Sequence, residues 1–287
     1  RQYNHVSEDP ATASKAFAIR DQIARTEEHI NVVKNATGEL ETADSNILTL
    51  NSILENIYEK ATKAGGASSQ DSMDAIAEEL SGQMEELLQT MNARYGDKFL
   101  FSGSANGTAP FTLDADGNLL FNGKSVDAYD KNDPDTYFSE NKPVYLDIGF
   151  GTYATGTNTA KTGIKISTSG VDVLGCGKDE NGMPNNLYSL IGQVRDQLKA
   201  GDKEGAMDSL SQLKKKQSNI SIATSEIGTR EKMLERTQDR LETSLVNLQK
   251  SQKDLEAVKV ETEAVNNKSA ETAWMITLQL GSSIIPP

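Results

Sequence analysis

Histidine occurs only twice in 287 residues, cysteine and tryptophan once each, and aromatic residues make up 6% of the chain. Each shortage excludes something. His5 and His29 both lie in the N-terminal arm, so general-base catalysis by an imidazole is all but closed off, and no Cys/His set suits zinc. Cys176 stands alone, so no disulfide framework supports the fold. With few aromatics, the core must be built from Leu, Ile, Val, Ala and Met, as in helical rods. No apolar run approaches the ~20 residues of a membrane span. No signal-peptide pattern is visible, although the chain begins at Arg1 rather than Met. Basic residues are outnumbered, 29 Lys+Arg against 42 Asp+Glu, for a formal net charge of -13. Such a surface repels phosphate backbones and anionic lipid, so neither nucleic acid nor membrane is expected as a partner.

Glycine and proline are scarce in residues 10–95 and 185–285 and crowd into 96–184, which divides the chain into three blocks. In the first, Asp9 can cap a helix and Pro10 can open it. Val33, Ala36, Leu40, Ala43, Ile47, Leu50, Leu54, Ile57, Ala61 and Ala64 then recur at alternating steps of three and four, a sustained heptad seam. Gly65-Gly66 ends it. A second helix over about 70–94 carries Met73, Ile76, Leu80, Met84, Leu87 and Met91 on one face, and the short link implies an antiparallel hairpin.

The last block holds Leu213, Ile220, Ile227, Leu234, Leu241, Leu248 and Leu255, one apolar residue at every seventh position. The companion position is weaker (Ala223, Arg230, Thr237). This predicts one long helix packing on the N-terminal hairpin, with its other flank partly solvated. An earlier helix is expected over about 185–199, with Leu187, Leu190, Ile191, Val194 and Leu198 inward.

The middle block reads as strands. Phe111–Leu113 and Leu119–Phe121 flank Asp116-Gly117, a hairpin signal, and 144–148 and 163–166 look like further strands. The expected fold class is α+β: an elongated, discontinuous helical bundle or coiled-coil domain with an inserted β-rich domain. Its parts would be an N-terminal arm over 1–97, a β-rich outer domain over 98–184, and a C-terminal arm over 185–287 that packs on 10–95.

Motifs that could carry chemistry fail on spacing. Gly117 to Ser125 resembles a phosphate loop, but five residues separate its glycines and no helix follows. Two turns around a hairpin strand explain it. Asp114-Ala115-Asp116-Gly117-Asn118 resembles the start of a calcium loop, yet Gly is fourth rather than sixth and position twelve is Ser125. Asp130 to Asp135 reads as a solvated acidic loop. No enzyme activity, catalytic residue, cofactor or metal is expected. The most apolar stretch, Ala273 to Leu280 with Ile284-Ile285, lies at the very end, where it either docks on the chain's own bundle or meets another subunit.

Several segments carry a resemblance. Ser7-Glu8-Asp9-Pro10-Ala11, followed by Ala16, Ile19 and Arg20, resembles the Ser-Asp-Asp-Pro-Ala opening of FlgL-type junction proteins in the flagellin superfamily. Asn31 and Asp44-Ser45 fit the next segment, and Ala75 to Leu80 the second helix. Asn92, Phe99-Leu100-Phe101-Ser102-Gly103 and Pro110-Phe111 are similar to the junction-protein signature that precedes the outer domain. Flagellins usually show a Phe-Asn-Gly version there, and an Arg-Glu-Leu-Ala-Val-like run where this chain has Ile57 to Ala61. The resemblance covers both helical arms. Both ends look shortened against it.

What the resemblance implies is a structural subunit at the junction of hook and filament, exported through the flagellar secretion channel without a cleaved signal peptide and located outside the cell. Its partners would be the other hook-associated junction protein, flagellin, lateral copies of itself and an export chaperone. Trp274, Met275, Leu278 and Leu280 would be subunit contacts. A divergent flagellin is the nearest competing reading, and a coiled-coil adaptor a more distant one.

Overall fold

The computed structural model describes residues 10–66, 69–105, 107–139, 141–146, 163–256 and 260–284. It falls into two compact units, one being Val32–Gln238 and the other combining Arg1–Asn31 with Asp239–Pro287. The helices are α1 (Pro10–Gly65), α2 (Gln70–Met91), α3 (Gly170–Leu174), α4 (Leu187–Lys199), α5 (Lys203–Lys216), α6 (Ser218–Glu256) and α7 (Val260–Ile284). The strands are short: β1 (Arg94–Tyr95), β2 (Lys98–Phe99), β3 (Phe111–Leu113), β4 (Leu119–Phe121), β5 (Lys124–Ser125), β6 (Tyr145–Leu146) and β7 (Ile164–Lys165).

In the Val32–Gln238 unit every residue of the α1 seam, from Val33 to Ala64, is buried. Leu213, Ile220, Ile227 and Leu234 are buried as well. The C-terminal seam was expected on one long helix, and the structure divides it at Gln217 into α5 and α6. The division is slight, because Gln217 keeps right-handed helical angles (φ -56, ψ -23). Contacts with α1 run without a jump across it. A Cβ on Gly65 would meet the Met207 sulfur. The Lys214 ammonium lies 4.8 Å from the centre of the Tyr58 ring, and the Gln217 amide donates to Asn51 Oδ1 at 2.7 Å. Glu231 feels the charges of Asp44 and Glu41. As the numbers rise on α5 and α6 they fall on α1 at nearly the same rate, so the two lines are antiparallel and in register. That is why a heptad pattern can pass through a helix break without losing phase.

α2 and α4 close the core around this pair. Lys60 and Glu79 join α1 to α2 by an ion pair. Gln70 at the start of α2 donates to the Leu198 and Lys199 carbonyls at the end of α4, while Arg195 reaches Met84. α2 and α4 are therefore antiparallel. α4 turns into α5 through Gly201 (φ +75), and the Asp202 carboxylate caps α5 at the Gly205 N–H. Leu187, Leu190, Ile191, Val194 and Leu198 are buried on α4.

The β pairings are all antiparallel. Phe111 pairs with Phe121 and Leu113 with Leu119 around the Asp116-Gly117 turn. Asn122 (φ 50) and Gly123 (φ 81) then form the two-residue turn between β4 and β5, the geometry that Asn-Gly favours. The phosphate-loop look-alike is thus two turns around a strand. In the calcium-loop look-alike, Asp114 Oδ1 accepts from the N–H groups of Asp116 and Asn118 at 2.9 and 2.8 Å. The Asn118 side-chain amide, which donates to Asp114 Oδ2 at 2.9 Å, and after it these backbone bonds hold the Asp114 carboxyl below its ordinary range. The strand expected over 144–148 pairs at Tyr145 and Leu146 with Lys165 and Ile164, and residues 147–148 lie outside the described residues.

In the second unit Leu241 and Ile30 are buried, Leu248 and Leu255 are half-buried, and the described side chains of α7 are exposed throughout. Leu241→Ala should therefore cost about 2–5 kcal/mol, the range for a buried leucine that leaves a cavity. Leu248→Ala should cost clearly less, and urea unfolding of the two variants gives the comparison.

Carboxylates crowd one stretch of the α1–α6 seam. Burial first, then the negative charges of Asp44 and Glu41, hold the Glu231 carboxyl above its ordinary value of 4.5. A carboxyl whose native pKa is raised binds its proton more tightly when folded, so ionising it costs stability. The cost is absent below the unfolded value and complete once pH exceeds the native one. Glu231→Gln should raise the melting temperature at pH 7, with the gain fading as pH falls through 4.5. Thermal unfolding across that pH range provides the check.

Candidate assembly surface

Among the described residues, polar contacts at three different helices tie the β-rich insertion to them. At the first, α2 stops at Met91 and Asn92 follows as its C-cap. The Asn92 side chain acts as a surrogate strand: its amide donates to the Phe111 carbonyl at 2.8 Å, and its Oδ1 accepts from the Phe111 N–H at 3.0 Å. β1 and β2 intervene as a tight hairpin, with the Arg94 guanidinium 4.5 Å from the Phe99 ring centre. Phe101 is fully buried and its carbonyl accepts from the Gly170 N–H at 2.9 Å. Position 170 must be glycine, because a Cβ there would lie 2.3 Å from the Phe111 ring.

At the second contact Asp127 accepts from the Asn186 amide and, at 2.8 Å, from the Ser189 hydroxyl. Asn186 also caps α4 through the Ser189 N–H at 2.8 Å, so one helix start is shared with the insertion. At the third, Arg230 on α6 reaches the Ser167 carbonyl at 3.4 Å and pairs with Glu226.

The residues singled out from sequence fall in several places. Ser7 and Asp9 lie outside the described residues, and Pro10 opens α1. Phe99 is half-buried on β2, Phe101 is in the core, and Gly103 adopts φ 71 just beyond. Trp274, Met275, Leu278 and Leu280 are all on α7, exposed by 66%, 59%, 54% and 57%. Ile276 beside them is 52% exposed, so five large apolar side chains of α7 stand in water, and exposed apolar surface of that kind marks interaction sites. Sequence reasoning missed Asn92 as a clamp, and it missed Asp127, Asn186 and Arg230 as tethers. Only Asn186 had a local signal, a capping residue one position before the helix.

The remaining chemistry is quiet. Burial pushes the Cys176 thiol up to about 11, so almost none of it is thiolate at neutral pH. An open groove beside α2, α4 and the β3–β4 turn is lined by Glu85, Asp116, Asp127, Arg195 and Asp196 among others. Its Ser189 hydroxyl is committed to Asp127. Among the described residues no group of three or more His, Cys, Asp and Glu is arranged to hold a metal. Nor is any helix among them long and apolar enough to cross a membrane.

Residues 1–106 match the bacterial flagellin N-terminal helical region. Three similar solved structures share the fold. A putative flagellar hook-associated protein from Vibrio parahaemolyticus aligns with a TM-score of 0.69 at 15% identity, covering 87% of this chain and 100% of that one. FlgL from Bacillus cereus gives 0.60 at 16% identity over 82% and 99%. Flagellar hook-associated protein-3 from Legionella pneumophila gives 0.63 at 14% identity over 83% and 98%. No curated protein matches the sequence. The chain thus has the α+β fold of flagellar hook-associated proteins, and its N-terminal arm carries the flagellin-type helical region.

Asn92→Ala should cost about 1–3 kcal/mol, because it removes both partners of a half-buried backbone unit. Chemical denaturation provides the measurement. A loss no larger than that of an ordinary surface substitution would mean that β3 is held by the core alone.

Proposed function

We propose that this chain is a structural subunit of the bacterial flagellum that forms the junction between hook and filament. The flagellin-type helical region over residues 1–106 carries the reading, and the hook-associated fold of the chain supports the junction over the filament. In this reading the protein is no enzyme. Its work is to hold shape, adapting one tubular lattice to another. The helical arms, 1–97 and 185–287, form the discontinuous domain that meets neighbours, and residues 98–184 form the outer part.

The partners would be the other hook-associated junction protein on one side, flagellin on the other, and lateral copies of the same chain. An export chaperone would cover the C-terminal arm before secretion, and the mature subunit would lie outside the cell. The α7 surface suits such contacts. Burying Trp274 or Leu278 against a neighbour yields about 1.5–3 kcal/mol for each side chain, which isolated helices in water cannot recover.

Antibody labelling of intact flagella is the direct test. A ring of label at the hook–filament boundary is expected, whereas label along the filament would indicate a filament subunit instead. The α7 surface has its own prediction. Trp274→Glu with Leu278→Glu should leave the melting temperature unchanged and abolish motility rescue of a junction-deficient strain. Full rescue would remove α7 from the contact surface.

A further inference from the structure

Among the described residues, the helices of the Val32–Gln238 unit leave three large apolar side chains well exposed: Leu48 on α1 by 52%, and Ile222 and Met233 on α6 by 58% and 47%. Apolar residues scattered singly over a surface need no explanation. These fall into two stripes. Successive helical residues turn by about 100°, so Ile222 stands roughly opposite the buried Ile220 and Ile227, with Thr229 and Met233 stacked on its side. On α1, Ser45, Leu48 and Ser52 form the second stripe, turned away from the buried Ile47, Leu50 and Leu54. Each stripe lies on the side of its helix away from its own seam, where a neighbour can cover it without disturbing the core.

Both stripes are prepared for burial. The residues between the large side chains are small, so another helix can come close. Their hydroxyls are already spent on their own helices. Thr49 donates to the Ser45 carbonyl at 3.0 Å and Ser52 to the Leu48 carbonyl at 3.2 Å. Ser225 donates to the Ser221 carbonyl at 2.8 Å and Thr229 to the Ser225 carbonyl at 2.9 Å. Covering them strands no donor. A hollow on α6 lies between Ile222, Ser225 and Thr229, and the one acidic side chain lining it, Glu226, is paired with Arg230 of the same helix.

Charge selects the occupant. On α1 the stretch around Leu48 is bracketed by exposed Glu41 and Glu55, and on the α5–α6 line the stretch around Ile222 is bracketed by exposed Lys215 and Lys232. The fold also sets their levels. Gly65 lies level with Met207 and Tyr58 with Lys214, so seven residues down α1 are seven up the other line. At that rate Leu48 is level with Thr224 beside the hollow, Glu41 is one residue from Lys232, and Glu55 is two from Lys215. A second copy set alongside, pointing the same way and at the same height, brings each acid to a base and Leu48 to the hollow.

We propose that a second copy of this chain docks on this surface, with the Leu48 face of α1 in one copy lying antiparallel on the Ile222 face of α6 in the next. The contact is heterologous, so a pair of copies still offers one stripe of each kind, and repetition closes a ring or winds a tube. The inference rests on the reading of this chain as a subunit that meets lateral copies of itself, and it names the surface. Opposite charges at the two ends fix the register, as electrostatic complementarity does at interfaces generally.

Disulfide trapping in assembled flagella tests it. In a Cys176→Ala chain, Leu48→Cys with Ser225→Cys should give a ladder of dimers, trimers and larger species on oxidation. Leu48→Cys with Arg236→Cys should give none, because its second thiol sits about 16 Å further along α6. No ladder from the first pair, or an equal ladder from the second, overturns the contact. A charge exchange in the natural chain gives an independent reading, and decides alone if the cysteine chains do not assemble. Glu41→Lys should reduce motility rescue of a junction-deficient strain severalfold, and adding Lys232→Glu should restore it. Undiminished rescue by Glu41→Lys, or no restoration by the pair, also overturns the contact. Antibody labelling of the same cells keeps the two readings apart. Label at the hook–filament boundary without a ladder removes this contact alone, whereas a ladder with label elsewhere keeps the contact and removes the junction.

Discussion

The α1 seam must be covered along its length, and most of the architecture within Val32–Gln238 follows from that. A lone helix has no interior, so Val33, Leu40, Ile47, Leu54 and their neighbours gain nothing from helix formation alone. They gain by burial, at roughly 0.8 kcal/mol for each methylene removed from water. α5 and α6 supply one cover by running antiparallel to α1, and α2 supplies another by folding back beside it. α4 then fills the remaining side of α2. The insertion inherits its position from these helices, since Asn92, Asn186 and Arg230 each stand on or at the end of a helix already fixed by the seam.

Much of this was legible because helices announce themselves locally. Seam spacing, Pro10 and the Gly65-Gly66 stop lie within a few residues of what they control. Asp116-Gly117 and Asn122-Gly123 do the same for the hairpins. The helix break at Gln217 was not legible, because its backbone stays helical and the seam keeps its phase through it. The short strands β1, β2 and β5 were also missed. Two residues cannot display an alternation.

The tethers escaped for a different reason. Asn92 is 19 residues from Phe111, and Asp127 is 59 from Asn186. Nothing at either end of such a bond encodes the other, and a polar residue in a loop or at a helix end looks the same whether or not it has a distant partner. The α7 surface stood out in composition, as the most apolar stretch of a chain with 36% hydrophobic residues. In the structure its side chains are exposed, and no pattern within the sequence could name what covers them. Val32–Gln238 buries its own seam, whereas the unit with α7 leaves Trp274, Met275, Ile276, Leu278 and Leu280 in water.

Arg230 has a further consequence. A perfect heptad repeat is ambiguous, since a helix sliding past its neighbour by seven residues meets the same apolar pattern again. The run from Leu213 to Leu255 offers several such misalignments of nearly equal energy. A polar residue on the seam's flank removes that freedom. Only one alignment brings the Arg230 guanidinium to the Ser167 carbonyl, and any other would leave this mostly shielded group with Glu226 of its own helix alone. The leucines supply cohesion without saying where to stop. The arginine serves as an index mark, setting one long helix against the insertion at a single graduation.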